Sequence, residues 1–245
     1  MNSSEIEKAV QEVHEEGFTI LKSLLPEELV RKCREAFMPI LEDFVREQAD
    51  DPNRGTARHF IVLPFESPFN DPVIYENDTI LAVVENIIGD DAVLGSYATD
   101  TPLEGSVYQD FHSDMFNLFP GSDLFLPTHI VTVNFSFVDV TAENGPVEVA
   151  RGTHRMPKEE ALRRIESGQI QEEPLFMQVG DVLIRDPRCL HRGTPNRTAS
   201  PRPVAVIAYV RPWFRFEHTR IPKSEYERMS ERGKRLWRFI SNVES

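Results

Sequence analysis

Residues 128–137, Thr128-His129-Ile130-Val131-Thr132-Val133-Asn134-Phe135-Ser136-Phe137, alternate in polarity without a break, and no other feature of the chain constrains its fold as tightly. Successive side chains of a strand point to opposite faces. His129, Val131, Val133, Phe135 and Phe137 therefore share one face, and Ile130, Thr132, Asn134 and Ser136 share the other. The first is a core face. The second is polar: on the outside of a sheet it would meet water, whereas inside a barrel Thr132 and Asn134 would be available to hydrogen-bond a ligand. From about residue 92 onward, short apolar runs such as 182–185 and 204–210 recur between turns of Gly, Pro and Asn. The expectation is a mainly β chain folded as a double-stranded β-helix, the jelly-roll barrel.

Ahead of that region the apolar spacing lengthens to three and four residues. Ser4-Glu5-Ile6-Glu7 has the form of a capping box opening a short helix, which Gly17 ends before a strand over Phe18–Leu21. Pro26 opens a longer helix with a core stripe that includes Val30, Cys33, Phe37 and Leu41, and Pro39 is where it can kink. Asp78 caps a third helix that Gly89 ends. A further helix is expected over 157–166, inserted between strands. Ser224-Glu225-Tyr226-Glu227 should open a closing helix with Tyr226, Met229, Leu236, Trp237 and Ile240 on its apolar face. The chain divides into helical framing over 1–90, a jelly-roll core over about 92–213 and a C-terminal helix over about 224–241, all within one domain, 1–245.

Composition narrows the function. No apolar run approaches bilayer length, and the acidic start Met1-Asn2-Ser3-Ser4-Glu5 lacks the basic and apolar parts of a secretion signal. A soluble, cytoplasmic protein without membrane association is expected, and with it no disulfide between Cys33 and Cys189. A formal charge of −13 argues against nucleic acid as a partner, because affinity for phosphate backbones comes mainly from Lys and Arg. That charge is unevenly spread: residues 187–245 carry +8 and residues 1–186 carry −21. A basic C-terminal segment packed against acidic helices accounts for this. The competing reading is a docking surface for an anionic substrate, such as a coenzyme A thioester or an acidic carrier protein.

His112-Ser113-Asp114 is followed by His191, and Arg202 lies 11 positions further on. Two neutral imidazoles and one carboxylate on one side of a ferrous ion form a facial triad that leaves about three positions for a co-substrate and dioxygen. A nearby guanidinium can hold the far carboxylate of a 2-oxo acid through two parallel hydrogen bonds. His-X-Asp alone is a weak signal, and its surroundings strengthen it. Period-2 geometry over 109–114 would put His112 and Asp114 on one side of a strand, and Arg202 opens the strand over 204–210. Ligand and anchor are thus expected on adjacent antiparallel strands.

With these pieces in place, the chain resembles the phytanoyl-CoA dioxygenase family of iron(II)/2-oxoglutarate oxygenases from about residue 15 to residue 213. The likeness is carried by Glu16-Gly17-Phe18-Thr19-Ile20-Leu21, Leu25-Pro26-Glu27-Glu28, Gly105-Ser106, Gln109 and His112-Ser113-Asp114. It continues through Asn144-Gly145-Pro146, Arg151-Gly152-Thr153-His154-Arg155, Gly180-Asp181-Val182-Leu183, His191, Asn196 and Arg202, in order and at matching spacing. The resemblance implies that His112, Asp114 and His191 hold Fe(II), that Arg202 binds the distal carboxylate of 2-oxoglutarate, and that Gln109 lies beside this co-substrate. Members often carry Thr where this chain has Val147.

The implied activity is a dioxygenase that uses Fe(II), 2-oxoglutarate and O2 to hydroxylate, desaturate or cyclise a small molecule, releasing succinate and CO2. Arg58 is a candidate substrate contact, since a buried arginine needs an anion, and Phe116 is another, beside Phe119, Phe125 and Leu126, which suggest an apolar or thioester-borne substrate. His154 is read as a structural residue, and Arg192 and Arg197 as solvated. The competing class is a cupin-like, non-redox metal-binding barrel, an isomerase or binding protein, which would usually carry more histidines in its first motif.

Overall fold

The computed structural model describes residues 1–47, 54–115, 118–119, 126–215, 219–239 and 242–243. In chain order the elements are α1 (Ser3–Glu16), β1 (Phe18–Leu21), α2 (Glu27–Glu47), β2 (Arg58–Val62), α3 (Pro72–Tyr75), α4 (Asp78–Ile88), β3 (Val93–Pro102) and β4 (Ile130–Ser136). They continue with β5 (Val147–Ala150), a 3-10 turn (Thr153–Arg155), α5 (Lys158–Glu166), β6 (Glu172–Leu175), β7 (Val182–Arg185), β8 (His191–Gly193) and β9 (Val204–Val210). The chain closes with β10 (Ile221–Pro222), α6 (Lys223–Arg228), α7 (Glu231–Leu236) and β11 (Asn242–Val243).

Two antiparallel sheets face each other, as the jelly-roll expectation requires. The larger runs β1-β7-β4-β9-β3-β2 and the smaller β6-β5-β8. The alternation in β4 divides the molecule. Val131, Val133, Phe135 and Phe137 join Val182, Ile184, Ile207 and Tyr209 in the main core, covered by apolar faces of α1, α2 and α4. Each such side chain, fully buried, contributes about 1.5–3 kcal/mol over its exposed state. Ile130, Thr132 and Asn134 are also buried, but toward the space between the sheets, where they line a cavity. The polar face of this strand is therefore an interior face and does not meet water.

Helix boundaries differ from the expectations in instructive ways. α1 is capped by Asn2, whose Oδ1 accepts from Glu5 N at 3.0 Å while the Glu5 carboxylate accepts from Asn2 N at 2.7 Å. The Asn2-x-x-Glu5 box thus prevails over the one starting at Ser4 and lengthens the helix by two residues, about half a turn. Asn77, not Asp78, caps α4. α2 runs unbroken through Pro39, which is exposed, so the carbonyl its ring leaves unpaired can be solvated. The closing helix is two short helices instead of one. Ser230 accepts from Gly233 N at 2.8 Å and starts α7 afresh after Met229 has taken an extended conformation. Ile240 and His218 lie outside the described residues.

Two arginines of the basic C-terminal segment reach α4. Arg232 pairs with Asp78 at 2.6 Å and Arg235 with Glu85 at 3.2 Å, both on α4. Cys33 and Cys189 are free and buried. Among the described residues, no helix is long and apolar enough to cross a membrane.

Candidate active site

The site is built on the seam between the sheets. His191 opens β8, and its backbone N–H and C=O exchange 3.0 Å hydrogen bonds with those of His112. That single bridge is all the regular pairing His112 has. Residues 109–114 do not form the expected strand; they are laid down by separate backbone bonds from Gln109 to Gly193, from His112 to His191 and from Asp114 to Pro187. The outcome is nonetheless a cluster. One ligand atom from each of His112, Asp114 and His191 lies within 4.8 Å of the others. His191 Nε2 is 3.4 Å and His112 Nε2 3.7 Å from the Asp114 carboxylate.

The tautomers follow from the surroundings. His112 Nδ1 lies 2.8 Å from the Asp110 carbonyl oxygen and His191 Nδ1 2.9 Å from that of Cys189. A carbonyl can only accept, so each Nδ1 carries the proton and each Nε2 presents its lone pair to the centre. Burial holds the His112 imidazole below its ordinary range, helped by the neighbouring His191. Burial would raise the Asp114 carboxyl, but His191 and the Arg185 guanidinium outweigh it and hold the group well below the usual carboxylate range. An ionised carboxylate and two imidazoles whose Nε2 atoms face it are the donors that a divalent metal takes up. The donor set therefore fits iron.

His154 stands elsewhere. Its Nε2 donates to the His14 carbonyl at 3.0 Å, tying the loop after β5 to α1. His14 is exposed, while His59 is buried edge-on against Phe44. His129 is buried and stacks on Trp213.

A cavity of about 650 Å³ joins the triad to the predicted anchor. His112, Asp114, His191, Gln109, Thr132, Asn134, Arg58 and Arg202 all line it. Arg202 does not share a sheet with His191. It precedes β9 of the large sheet while His191 belongs to the small one, so the two face each other across the cavity instead of lying side by side. The turn between them crosses over, pinned by Asn196 Nδ2 donating to the carbonyls of Pro102 at 3.1 Å and Ser200 at 2.8 Å.

Arg202 is buried, and its Nε donates to the Asn144 carbonyl at 3.3 Å. Burial, with a contribution from Arg58, pushes its pKa down to about 10, so it stays charged at neutral pH. Among the described residues no carboxylate lies within ion-pair distance of it. Arg58 lies close enough to perturb Arg202 and is itself paired with Asp100 at 2.9 Å. Its Nη2 donates to the Thr194 carbonyl at 3.1 Å. A Cβ on Gly193 would fall 2.4–2.6 Å from the Arg58 guanidinium, so only glycine there leaves room for it. Gln109 Oε1 accepts from Gly193 N at 3.0 Å, and its Nε2 donates to the Arg54 carbonyl at 3.1 Å.

Thr132 and Asn134 reach the cavity with part of their capacity already committed. Thr132 Oγ1 lies 3.5 Å from the Arg185 carbonyl, and Asn134 Nδ2 donates to the Ala205 carbonyl at 3.3 Å. Phe116 and Phe125 lie outside the described residues, while Phe119 is exposed. Arg192 is not solvated as expected: it pairs with Glu148 at 2.7 Å and lies over the rings of Tyr108 and Phe111. Arg197 is exposed.

Asp100 and Arg185 are among the cavity residues that escaped the sequence reading. Asp100 holds Arg58, and Arg185 sits beside the triad. Arg185 carried a signal, since it ends an apolar strand in phase with Leu183, on the face opposite Val182 and Ile184.

A profile of the phytanoyl-CoA dioxygenase (PhyH) family matches residues 13–204, which takes in the triad and Arg202. The chain belongs to that family. The matched span holds the candidate metal ligands His112, Asp114 and His191 together with Arg202. Among curated relatives of this phytanoyl-CoA dioxygenase family member is the multifunctional dioxygenase ausE of Aspergillus calidoustus, 24% identical over 198 residues. The match covers 76% of this chain and 66%, just under two thirds, of that relative's length.

Solved structures share the fold. The epimerase SnoN from nogalamycin biosynthesis, in complex with Fe3+, alpha ketoglutarate and nogalamycin RO, superposes with a TM-score of 0.64 at 17% identity, covering 86% of this chain and 85% of its own. HygX from Streptomyces hygroscopicus, with nickel, 2-oxoglutarate and hygromycin B bound, gives 0.62 at 20% identity, covering 87% and 90%.

Proposed function

We propose that this protein hydroxylates an unactivated carbon of a small-molecule substrate, with release of succinate and CO2, and that desaturation or ring closure is open to the same site. The observation that carries the reading is Arg202: a buried guanidinium without a carboxylate partner among the described residues, in the same cavity as three metal ligands. Leaving such a charge unpaired is costly. A dicarboxylate bound at the metal by one end and at Arg202 by the other removes that cost, which a non-redox barrel would leave standing.

His112 and His191 would hold the iron through Nε2 and Asp114 through a carboxylate oxygen. Iron and 2-oxoglutarate together supply the oxidation of a C–H bond by O2. The chain's own part is to position and to exclude. Arg202 fixes the far carboxylate, and Arg58, fixed by Asp100, adds a second positive charge at that end of the cavity and serves the co-substrate ahead of the substrate. Gln109 braces the β8 backbone beside them. Val140, Leu175, Met177 and Leu183 supply apolar wall near the small sheet. Across the cavity, Phe60, Val62, Ile130, Val206 and Phe214 provide a surface for the body of the substrate.

The substrate reading is an apolar molecule bearing an anionic group. Arg54 and Arg215 line the cavity and lie over the rings of Phe60 and Phe239, and neither has an ion-pair partner among the described residues. A thioester carrying phosphates meets that description, as does a small carboxylate. The test is succinate release from 2-oxoglutarate across a panel of apolar acids, their thioesters and their neutral analogues. Stimulation by the anionic members with an added oxygen in the product supports the reading. Stimulation by none, in protein that binds Fe(II) and 2-oxoglutarate, rejects the substrate class.

A further inference from the structure

Arg185 is the cavity arginine that neither co-substrate nor substrate accounts for. It is the last residue of β7, buried, and held from three sides. Its Nη2 donates to Asp114 Oδ2 at 2.6 Å. Its Nε lies 3.4 Å from Asn134 Oδ1, and its Nη1 the same distance from His191 Nδ1. The Nδ1 proton of His191 is committed to Cys189, so the guanidinium packs against that ring, and among the described residues its ion-pair partner is the Asp114 carboxylate. Strand register supports the placement: β7 pairs with β4 so that Arg185 stands opposite Thr132.

We propose that Arg185 is a positioning residue of the metal centre. It engages Asp114 Oδ2, which also lies 3.4 Å from His191 Nε2, and would leave Oδ1, 3.7 Å from His112 Nε2, as the oxygen free to meet the iron, so that the carboxylate would bind through one oxygen and positions for 2-oxoglutarate and dioxygen would stay open. The inference rests on the iron and 2-oxoglutarate reading of the site. A carboxylate beside a divalent cation can otherwise bind through both oxygens and fill one of those positions. A charge-assisted hydrogen bond of this length competes directly with the second metal contact. The guanidinium also offsets the ligand's negative charge, so the centre keeps a net positive charge that favours a dianionic co-substrate.

The test compares the unmodified protein with Arg185→Ala, Arg185→Gln and Arg185→Lys, each checked for folding by thermal melt. Under anaerobic conditions Fe(II) is titrated first. Then 2-oxoglutarate is added while the visible charge-transfer absorption of the complex is followed.

Ala and Gln should retain Fe(II) as tightly as the parent or more so. Their 2-oxoglutarate affinity should fall by about tenfold or more, with a changed charge-transfer spectrum, which is the scale of losses on removing partners of metal ligands. Lys should recover a large part. This opposite movement of the two affinities is not what a purely structural role produces. Parental 2-oxoglutarate affinity and spectrum in a folded Arg185→Gln protein would overturn the proposal, as would parallel loss of Fe(II) from Gln and Lys. Failure of the unmodified protein to form the complex at all would instead reject the underlying reading of the site.

Discussion

At the scale of single residues, the account depends on which side chains can be removed without losing which ligand. His112→Ala, Asp114→Ala and His191→Ala should each abolish tight Fe(II) binding in anaerobic titration, since three donors converge within 4.8 Å. His154→Ala should keep stoichiometric iron, because that ring binds a backbone carbonyl and stands apart from the cluster. Arg202→Ala should retain iron but raise the 2-oxoglutarate requirement by roughly thirtyfold or more, the usual consequence of truncating one partner of a buried charge-assisted pair. Arg202→Lys should recover only part, because a point charge cannot reproduce the planar fork. Normal co-substrate affinity in Arg202→Ala would place the anchor elsewhere, with Arg58 the first alternative.

At the scale of elements, the turn at Asn144-Gly145-Pro146 links the small sheet to the anchor. Gly145 has φ +88°, and an added Cβ would lie 2.7 Å from the Thr194 carbonyl oxygen, a backbone atom with little room to yield. The Asn144 carbonyl beside it accepts from Arg202. Gly145→Ala should therefore cost about 2 kcal/mol or more from the left-handed backbone and the clash, lowering Tm by about 4 °C or more for a domain of this size. It should also weaken 2-oxoglutarate binding while leaving Fe(II) affinity near normal. A destabilised variant with unchanged co-substrate affinity would separate the turn from the anchor.

The elements also show how far the sequence reaches. Strict alternation at 130–136 and glycine stops at Gly17 and Gly89 are local signals, and the matching elements formed. Residue types and spacing singled out His112, Asp114, His191 and Arg202, and all four line one cavity. The relation of His191 to Arg202 was not legible, because ten residues of irregular backbone carry the chain from one sheet to the other, and no local pattern encodes that crossing. Arg185 showed only its phase with Leu183, and its partners Asp114 and His191, like Arg58, the partner of Asp100, are not signalled by its own strand. Within their own strands Arg185 and Asp100 read as the polar end of an apolar run.

At the scale of the whole molecule, several buried titratable groups make stability depend on pH in one direction. His112, His129 and His154 all have pKa values held below the ordinary 6.5, with burial the leading cause. For Asp186, burial would raise the pKa, but Arg188 outweighs it and holds the carboxyl below its usual value. A histidine depressed in the folded state binds its proton more readily when unfolded, so its contribution is complete above 6.5 and is lost as pH falls through the folded value. A depressed carboxyl loses its contribution in the same direction, at lower pH. Tm of the metal-free protein should thus fall progressively on acidification below pH 6.5, and His154→Ala should flatten the upper part of that decline. A Tm that rises on acidification would contradict the burial of these neutral rings.

The central claim is that His112, Asp114, His191 and Arg202 together bind iron and 2-oxoglutarate in one cavity. Its most direct test is an anaerobic absorption titration with Fe(II) and 2-oxoglutarate, run on the unmodified protein and on His191→Ala. The account predicts a visible charge-transfer band in the unmodified protein that requires both additions and saturates at one equivalent of each, and no band in the variant. A unmodified protein without a band, or a folded His191→Ala protein that still forms it, would contradict the account.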